Sequence, residues 1–163
     1  FKNTTAGHIK PAVDAVTASQ HEHNFYGIDD DGQGCIITSK GNSNTHIILR
    51  GGSDKPNYYN DIVETIPVIY PGTKVVIDCS HGNSGKDYKR QKMVWLYFIE
   101  NYLTTRNIIG MMLESNIYEG NQKVTLPKSH DSLEYGVSIT DACIGFKETE
   151  DLLNKLYTAL LRL

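Results

Sequence analysis

Lys74-Val75-Val76-Ile77 runs straight into Asp78-Cys79-Ser80-His81, and the same pattern occurs on either side of it. Upstream, His46-Ile47-Ile48-Leu49 runs into Arg50-Gly51-Gly52; downstream, Asn107-Ile108-Ile109-Gly110-Met111-Met112-Leu113 runs into Glu114. Short continuous apolar runs bounded by Gly and polar residues suit strands buried on both faces of a parallel sheet. Helical patterns lie between them. Tyr58 to Ile69 carries Ile62, Val63, Ile66 and Ile69 at helical spacing, with Pro67 disturbing its last turn and Pro71-Gly72 turning into the next strand. Asp87 to Leu103 carries Val94, Phe98 and Tyr102 along one stripe. Glu148 to Leu163 carries Leu152, Leu153, Leu156, Leu160 and Leu161, with acids in its first turn as the helix dipole prefers. Near the start, Ile9, Val13 and Val16 predict a helix over Ile9 to Ser19.

Alternating strands and helices predict a parallel α/β arrangement, read as a single domain over 1–163. One segment breaks the rhythm. Asn24 to Ile28 and Cys35 to Thr38 flank the acidic turn Asp29-Asp30-Asp31-Gly32, which predicts a β-hairpin inserted over about 24–38. Sixteen basic against nineteen acidic residues give a net charge of -3, which offers no electrostatic footprint for nucleic acid or an anionic membrane. A bound anion must therefore be held by a few placed cations. The three cysteines, Cys35, Cys79 and Cys143, form no CxxC pair; this argues against a disulfide framework and suits a reducing, cytoplasmic setting. No apolar run approaches the roughly 20 residues of a membrane span, and no signal peptide is visible. Since the first residue is Phe1 rather than Met, the sequence is expected to belong to a longer coding sequence or to have lost its start.

In parallel α/β folds, ligands bind at the C-terminal ends of the strands. Here three successive strands end in Arg50, His81 and Glu114. Arg50-Gly51-Gly52 suits a phosphate or carboxylate, because arginine offers a rigid fork of donors and glycines let a ligand approach the backbone; it also suits a surface arginine before a turn. His81 and Glu114 are of the types that ligate divalent metals, and equally of the types that serve structural roles. His8, His21, His23, His46 and His130 show no ligand spacing. Gly82-Asn83-Ser84-Gly85-Lys86-Asp87 follows a strand and opens a helix, as an anion-binding loop does, but its glycine spacing and Asp87 are not those of a Walker A motif.

Taken in order, four stretches resemble the signatures of the class I 3-deoxy-D-arabino-heptulosonate-7-phosphate (DAHP) synthases. They are His46 to Gly52, Asp78 to Lys86, Glu114 to Gln122 and Ser138 to Gly145, and Phe1-Lys2-Asn3-Thr4 looks like a fifth. The resemblance covers nearly the whole chain and implies the C-terminal part of a TIM (β/α)8 barrel. It implies that His81, Glu114 and Asp141 ligate a divalent metal, with Mn²⁺ first and other first-row ions next. It implies that Lys2 and Arg50 hold phosphoenolpyruvate, that Asp141 also faces substrate, and that Lys2, Arg50 and His81 are the catalytic group.

The implied reaction, the first of the shikimate pathway, joins the methylene carbon of phosphoenolpyruvate to the aldehyde of D-erythrose 4-phosphate. Water adds at the former enol carbon and phosphate leaves. Gly82 and Gly85 depart from the family's usual Ala and Ser, and a barrel needs about 200–250 residues against 163 here. The missing front half would carry a cysteine metal ligand and further phosphoenolpyruvate cations, so this stretch alone is expected to be inactive. In regulated members the hairpin lies near a site for an aromatic amino acid. Phe25 and Tyr26 then either wall that site or fill the hairpin's own packing face. A half-barrel also predicts a bare sheet edge along His46 to Leu49, and hence a homo-oligomer. The alternatives are a truncated, non-catalytic half-barrel or binding module, and another phosphate-handling α/β enzyme built on the Gly82 to Lys86 loop.

Overall fold

The computed structural model of the chain describes residues 1–124 and 133–163. Three short strands, β3 (Ile47–Leu49), β4 (Val75–Asp78) and β5 (Ile108–Met112), form a parallel sheet in the order β3-β4-β5. Each coincides with one of the apolar runs. Two further pieces extend the sheet. On the β3 side, Ile48 N donates to Phe1 O at 2.7 Å and Asn3 N to Ile48 O at 3.1 Å. On the β5 side, Ile144 N donates to Glu114 O and Asn116 N to Ile144 O, both at 3.0 Å. The expectation of a bare edge along His46 to Leu49 is thereby corrected, because residues 1–3 pair there in parallel.

The sheet faces are unequal, which corrects the reading of strands buried on both sides. Ile47, Leu49, Val75 and Ile77 are buried, while Ile48 and Val76, one residue out of phase, are only half-buried. The buried face joins one apolar core with Ala12, Val13 and Val16 of α1 (Lys10–Gln20), Val94, Trp95 and Phe98 of α4 (Gln91–Asn101), and Leu152 of α5 (Phe146–Leu160). Trp95 Nε1 donates to Leu152 O at 2.9 Å and ties α4 to α5.

The helix expected over Tyr58 to Ile69 is two single turns, α2 (Asn60–Val63) and α3 (Ile66–Ile69). Pro67 is the reason. It lacks an N–H, and its ring would meet the carbonyl four residues back, that of Val63, where α2 stops. The stripe expected on α5 buries only Leu152, with Leu156 half-buried; Leu153, Tyr157, Leu160 and Leu161 are exposed. The hairpin forms as β1 (His23–Ile28) and β2 (Gly34–Ser39), paired antiparallel from His23↔Ser39 to Ile28↔Gly34. In its turn, Asp29 Oδ1 accepts from the N–H groups of Asp31 and Gln33. Phe25 and Tyr26 are 51% and 76% exposed, so neither fills a buried packing face. No helix among the described residues is long and apolar enough to cross a membrane.

Ile77 lies at the middle of the sheet with 1% exposure. Ile77→Ala is expected to cost about 2–5 kcal/mol in urea unfolding, and a near-neutral result would remove β4 from the core. Tyr58 and Tyr102 are also buried, and Tyr102 Oη donates to Tyr58 O at 2.7 Å. Burial pushes both phenols above the usual tyrosine range. A raised folded pKa favours the fold below the unfolded value and loses that contribution above it, so stability should decline as pH rises past about 10. Absorbance titration at 295 nm should show these two phenols ionising only with unfolding.

Candidate metal centre

The pleat places the site. Lys2 pairs with Ile48, Ile48 with Val76 and Val76 with Gly110, so these four positions share the half-buried face. Two residues further along each strand, Arg50, Asp78 and Met112 share it too, and Glu114 follows Met112 by two. Strand alternation thus brings a lysine, an arginine and two carboxylates to one rim.

Asp78 is wholly buried and organises that rim. Its Oδ2 lies 2.8 Å from Lys2 Nζ, and its Oδ1 accepts from Ser80 N at 2.9 Å. His81 Nδ1 is also 2.9 Å from Asp78 Oδ2 but out of line for a hydrogen bond, which leaves this buried nitrogen without a partner. The opposite ring atom, Nε2, faces Glu114 Oε1 at 3.4 Å, and Ser80 Oγ donates to Glu114 Oε2 at 2.8 Å. Asp141 completes the set. One donor atom from each of His81, Glu114 and Asp141 lies within 4.8 Å of the others. An imidazole and two carboxylates converging this closely fit a first-row divalent ion. His81 reaches the position through a left-handed backbone, φ 54°, a conformation that costs a non-glycine residue about 1–3 kcal/mol and clusters at functional sites.

The two predicted anion-holding residues sit differently. Lys2 is engaged by Asp78, although an ammonium has three donors and its side chain remains 36% exposed. Arg50 is half-buried and lines a cleft of about 550 Å³ together with Lys55, Lys86, Arg90, Tyr58 and Tyr59. Lys2, His81, Glu114 and Asp141 do not line that cleft; it adjoins the trio through Gly82, Asn83 and Ser84. His130 lies outside the described residues.

The reading of Gly82 to Asp87 as an anion cradle is corrected. Every backbone N–H in this loop donates within the chain: Gly82 and Asn83 to Arg50 O, Ser84 to Ser80 O, Gly85 to Gly82 O, Lys86 to His81 O and Asp87 to Ser84 O. None is left for a phosphate. The loop leads into a 3-10 turn, Tyr88–Arg90, capped by Asp87 Oδ1 accepting from Lys89 N. Cys79 sits in the core, where burial pushes its thiol up, and is not part of the trio. Cys35 and Cys143 are likewise free thiols.

Several residues of the site escaped the sequence reading. Asn3, Asn57 and Asn83 are buried and wire the strand ends together. Asn3 Oδ1 accepts from Arg50 N and Asn57 Nδ2, while Asn57 Oδ1 accepts from Gly51 N. Asn83 Oδ1 accepts from Asn57 N, and its Nδ2 donates to Leu49 O and Asp78 O. Gly51, with φ 75°, leaves no room for a Cβ against Asn83 N. Ser80 and Asp78 stood inside a quoted motif without a role. Gln91 had a signal: it occupies the stripe that continues as Val94, Trp95 and Phe98, where an apolar residue is the norm.

Similarity to known proteins converges on one description. A profile of the DAHP synthetase I family matches residues 1–154. The chain is 44% identical over 165 residues to a Tyr-sensitive phospho-2-dehydro-3-deoxyheptonate aldolase of Enterobacter agglomerans, covering 98% of this chain and 76% of that relative. It is 41% identical to the Tyr-sensitive enzyme of Escherichia coli K12, covering 98% of this chain and 46% of that relative. A phenylalanine-inhibited relative from Saccharomyces cerevisiae is 38% identical, with 96% and 45% covered. The solved structure of the phospho-2-dehydro-3-deoxyheptonate aldolase from Francisella tularensis SCHU S4 superposes with a TM-score of 0.89 at 40% identity, covering 99% of this chain and 47% of that one. The chain therefore spans about half the length of most of these relatives.

Asn83→Ala would orphan a buried N–H and two carbonyls, each worth about 1–3 kcal/mol. Asn83→Asp, which sets a carboxylate against two carbonyl oxygens, should be worse despite its equal size. Chemical denaturation of the two variants in parallel checks this order.

Proposed function

The chain belongs to the DAHP synthetase I family, and from that premise we propose that the full-length protein condenses phosphoenolpyruvate with D-erythrose 4-phosphate to DAHP, the first step of the shikimate pathway. The observation that carries the reading is the convergence of His81, Glu114 and Asp141 within 4.8 Å on the same rim as Lys2 and Arg50. These three residues would hold a divalent ion, Mn²⁺ in the first instance. When bound, such an ion supplies Lewis-acid polarisation of a carbonyl oxygen.

The chain's own residues do the rest. Arg50 binds the phosphoenolpyruvate anion by its fixed fork of donors. Lys2 adds a second cation, held in place by Asp78. Asp78 Oδ2 lies 2.9 Å from His81 Nδ1, on the ring edge opposite the Nε2 that faces Glu114. Asp141 is exposed at the rim, which leaves it open to an incoming substrate. As phosphate leaves, charge builds on it next to two placed cations.

The parallel pieces running from residues 1–3 through β3, β4 and β5 to Ile144 support the C-terminal part of a (β/α)8 barrel, one domain carrying the β1-β2 hairpin as an insert. The exposed Phe25 and Tyr26 suit contact with an aromatic amino-acid effector or with a second copy in a homo-oligomer. The free thiols suit a cytoplasmic setting. A truncated, non-catalytic half-barrel remains the competing function. These residues without the family's cysteine ligand and its other phosphoenolpyruvate cations would have little or no turnover.

Incubating the full-length protein with both substrates and Mn²⁺ should release inorganic phosphate, with DAHP formed in equal amount. No release would eliminate the catalytic reading and leave the binding module. His81→Ala or Glu114→Gln should weaken Mn²⁺ binding by more than the 10–100-fold (order of magnitude) typical of losing an outer hydrogen-bond partner, as read by titration of free Mn²⁺. Robust turnover by the 163-residue chain alone would refute the proposed need for residues outside it.

A further inference from the structure

We propose that Gln91 is a positioning residue for the metal site: its side-chain amide takes the place of a neighbouring strand and sets the backbone of Glu114. This inference rests on reading His81, Glu114 and Asp141 as metal ligands.

Glu114 lies just beyond the sheet. The β4-β5 ladder ends at Asp78↔Met112, with one last bond from Cys79 N to Met112 O. Past that point β4 has turned away into Ser80 and His81. On the far side, Ile144 N donates to Glu114 O, but that bond leaves the Glu114 N–H unserved. A buried backbone N–H without a partner is costly.

Gln91 meets both groups of this one residue. Its Oε1 accepts from Glu114 N at 2.8 Å, and its Nε2 donates to Glu114 O at 3.1 Å. The two contacts form a closed ring of the kind exchanged between residues in a strand pair. They join positions 23 apart in sequence. With both ends of the residue fixed, little freedom is left in the direction of its Cα–Cβ bond, and the carboxylate is delivered to His81 Nε2 at 3.4 Å and Ser80 Oγ at 2.8 Å.

The cost of the arrangement argues for its purpose. Gln91 is 0% exposed at the first turn of α4, in line with Val94, Trp95 and Phe98. A leucine or methionine would fill that volume without desolvating an amide. Its start is also anchored, since α4 follows directly on the Tyr88–Arg90 turn capped by Asp87. The amide is thus carried on a fixed helix end.

The test is Mn²⁺ affinity of the full-length protein, measured from the electron paramagnetic resonance of free Mn²⁺, alongside the thermal midpoint with and without the ion. Gln91→Met keeps the volume and removes both bonds. It should weaken binding by about 10–100-fold, as loss of an outer partner does, and shrink the metal-induced rise in midpoint. Trp95→Phe removes another buried hydrogen bond from the same helix; it should lower the midpoint and leave Mn²⁺ affinity unchanged. If Gln91→Met does not fold, Gln91→Glu decides, because it keeps an acceptor for Glu114 N and loses the donor to Glu114 O; weakened binding is expected again. Wild-type affinity in the Gln91 variant that folds, or an equal loss in Trp95→Phe, would overturn the positioning role alone. Absence of Mn²⁺ binding by the unsubstituted protein would overturn the metal reading, and this inference with it, before any variant is compared.

Discussion

Where β3 and β4 run out, the backbone leaves the sheet ladder while still shielded from water, and its polar groups need partners that no neighbouring strand provides. Asn3, Asn57 and Asn83, each under 5% exposed, provide them. Their amides span the N-terminal strand, the Arg50-Gly51 turn, the segment before α2 and the loop after His81. A buried amide that makes all its bonds rigidifies its surroundings, whereas one that makes half of them is a liability. The rim can hold Gly51 and His81 in left-handed backbone positions because these three side chains leave few alternatives. The left-handed His81, the tight Gly51-Gly52 approach to Gly82 and the internal bonding of the Gly82 to Asp87 loop follow from that constraint.

A second constraint is electrostatic. Asp78 is a fully buried carboxylate, which is tolerable only when paired and hydrogen-bonded. Lys2 and the Ser80 N–H meet that need, and His81 completes the surroundings. One buried charge therefore ties a cation from the start of the chain to the backbone that leads out of β4. Glu114 is held in the same manner by uncharged groups: Ser80 at its carboxylate and Gln91 at its backbone. The cluster of His81, Glu114 and Asp141 is the visible part of a wider polar structure in which Asp78, Ser80 and Gln91 are buried.

The chain's periodicity made the strands and the major helices legible, because short β runs ending in polar residues leave few other readings. Pro67 announced a disturbance, but its reach back to Val63 was set by helix geometry, and α2 and α3 are accordingly separate. The edge at β3 was misjudged since nothing in Phe1-Lys2-Asn3 by itself says strand; three residues are too few for a period, and only their pairing to Ile48 defines them. Arg50, His81 and Glu114 were readable as strand-end residues. Asp141 was not, because it follows a loop rather than an apolar run, and only the family motif drew attention to it. The asparagines were invisible for a related reason: an Asn in a turn-rich segment looks like turn chemistry, and its burial depends on contacts 26 to 54 residues away.

Those separations also bear on how the fold is reached. Asn57 joins Asn3 across 54 positions and Asn83 across 26, and the first three residues pair with a strand more than forty residues later. Closing loops of this length is entropically expensive before any contact rewards it. The hairpin and α1 need no such closure and can form early. The amide network cannot be complete until β4 and the loop after it have docked, so it is expected to form late in folding. Interactions made after the rate-limiting step slow unfolding rather than speed folding. The asparagines would then act as a latch, contributing little to how fast the chain folds and much to how long the folded rim persists.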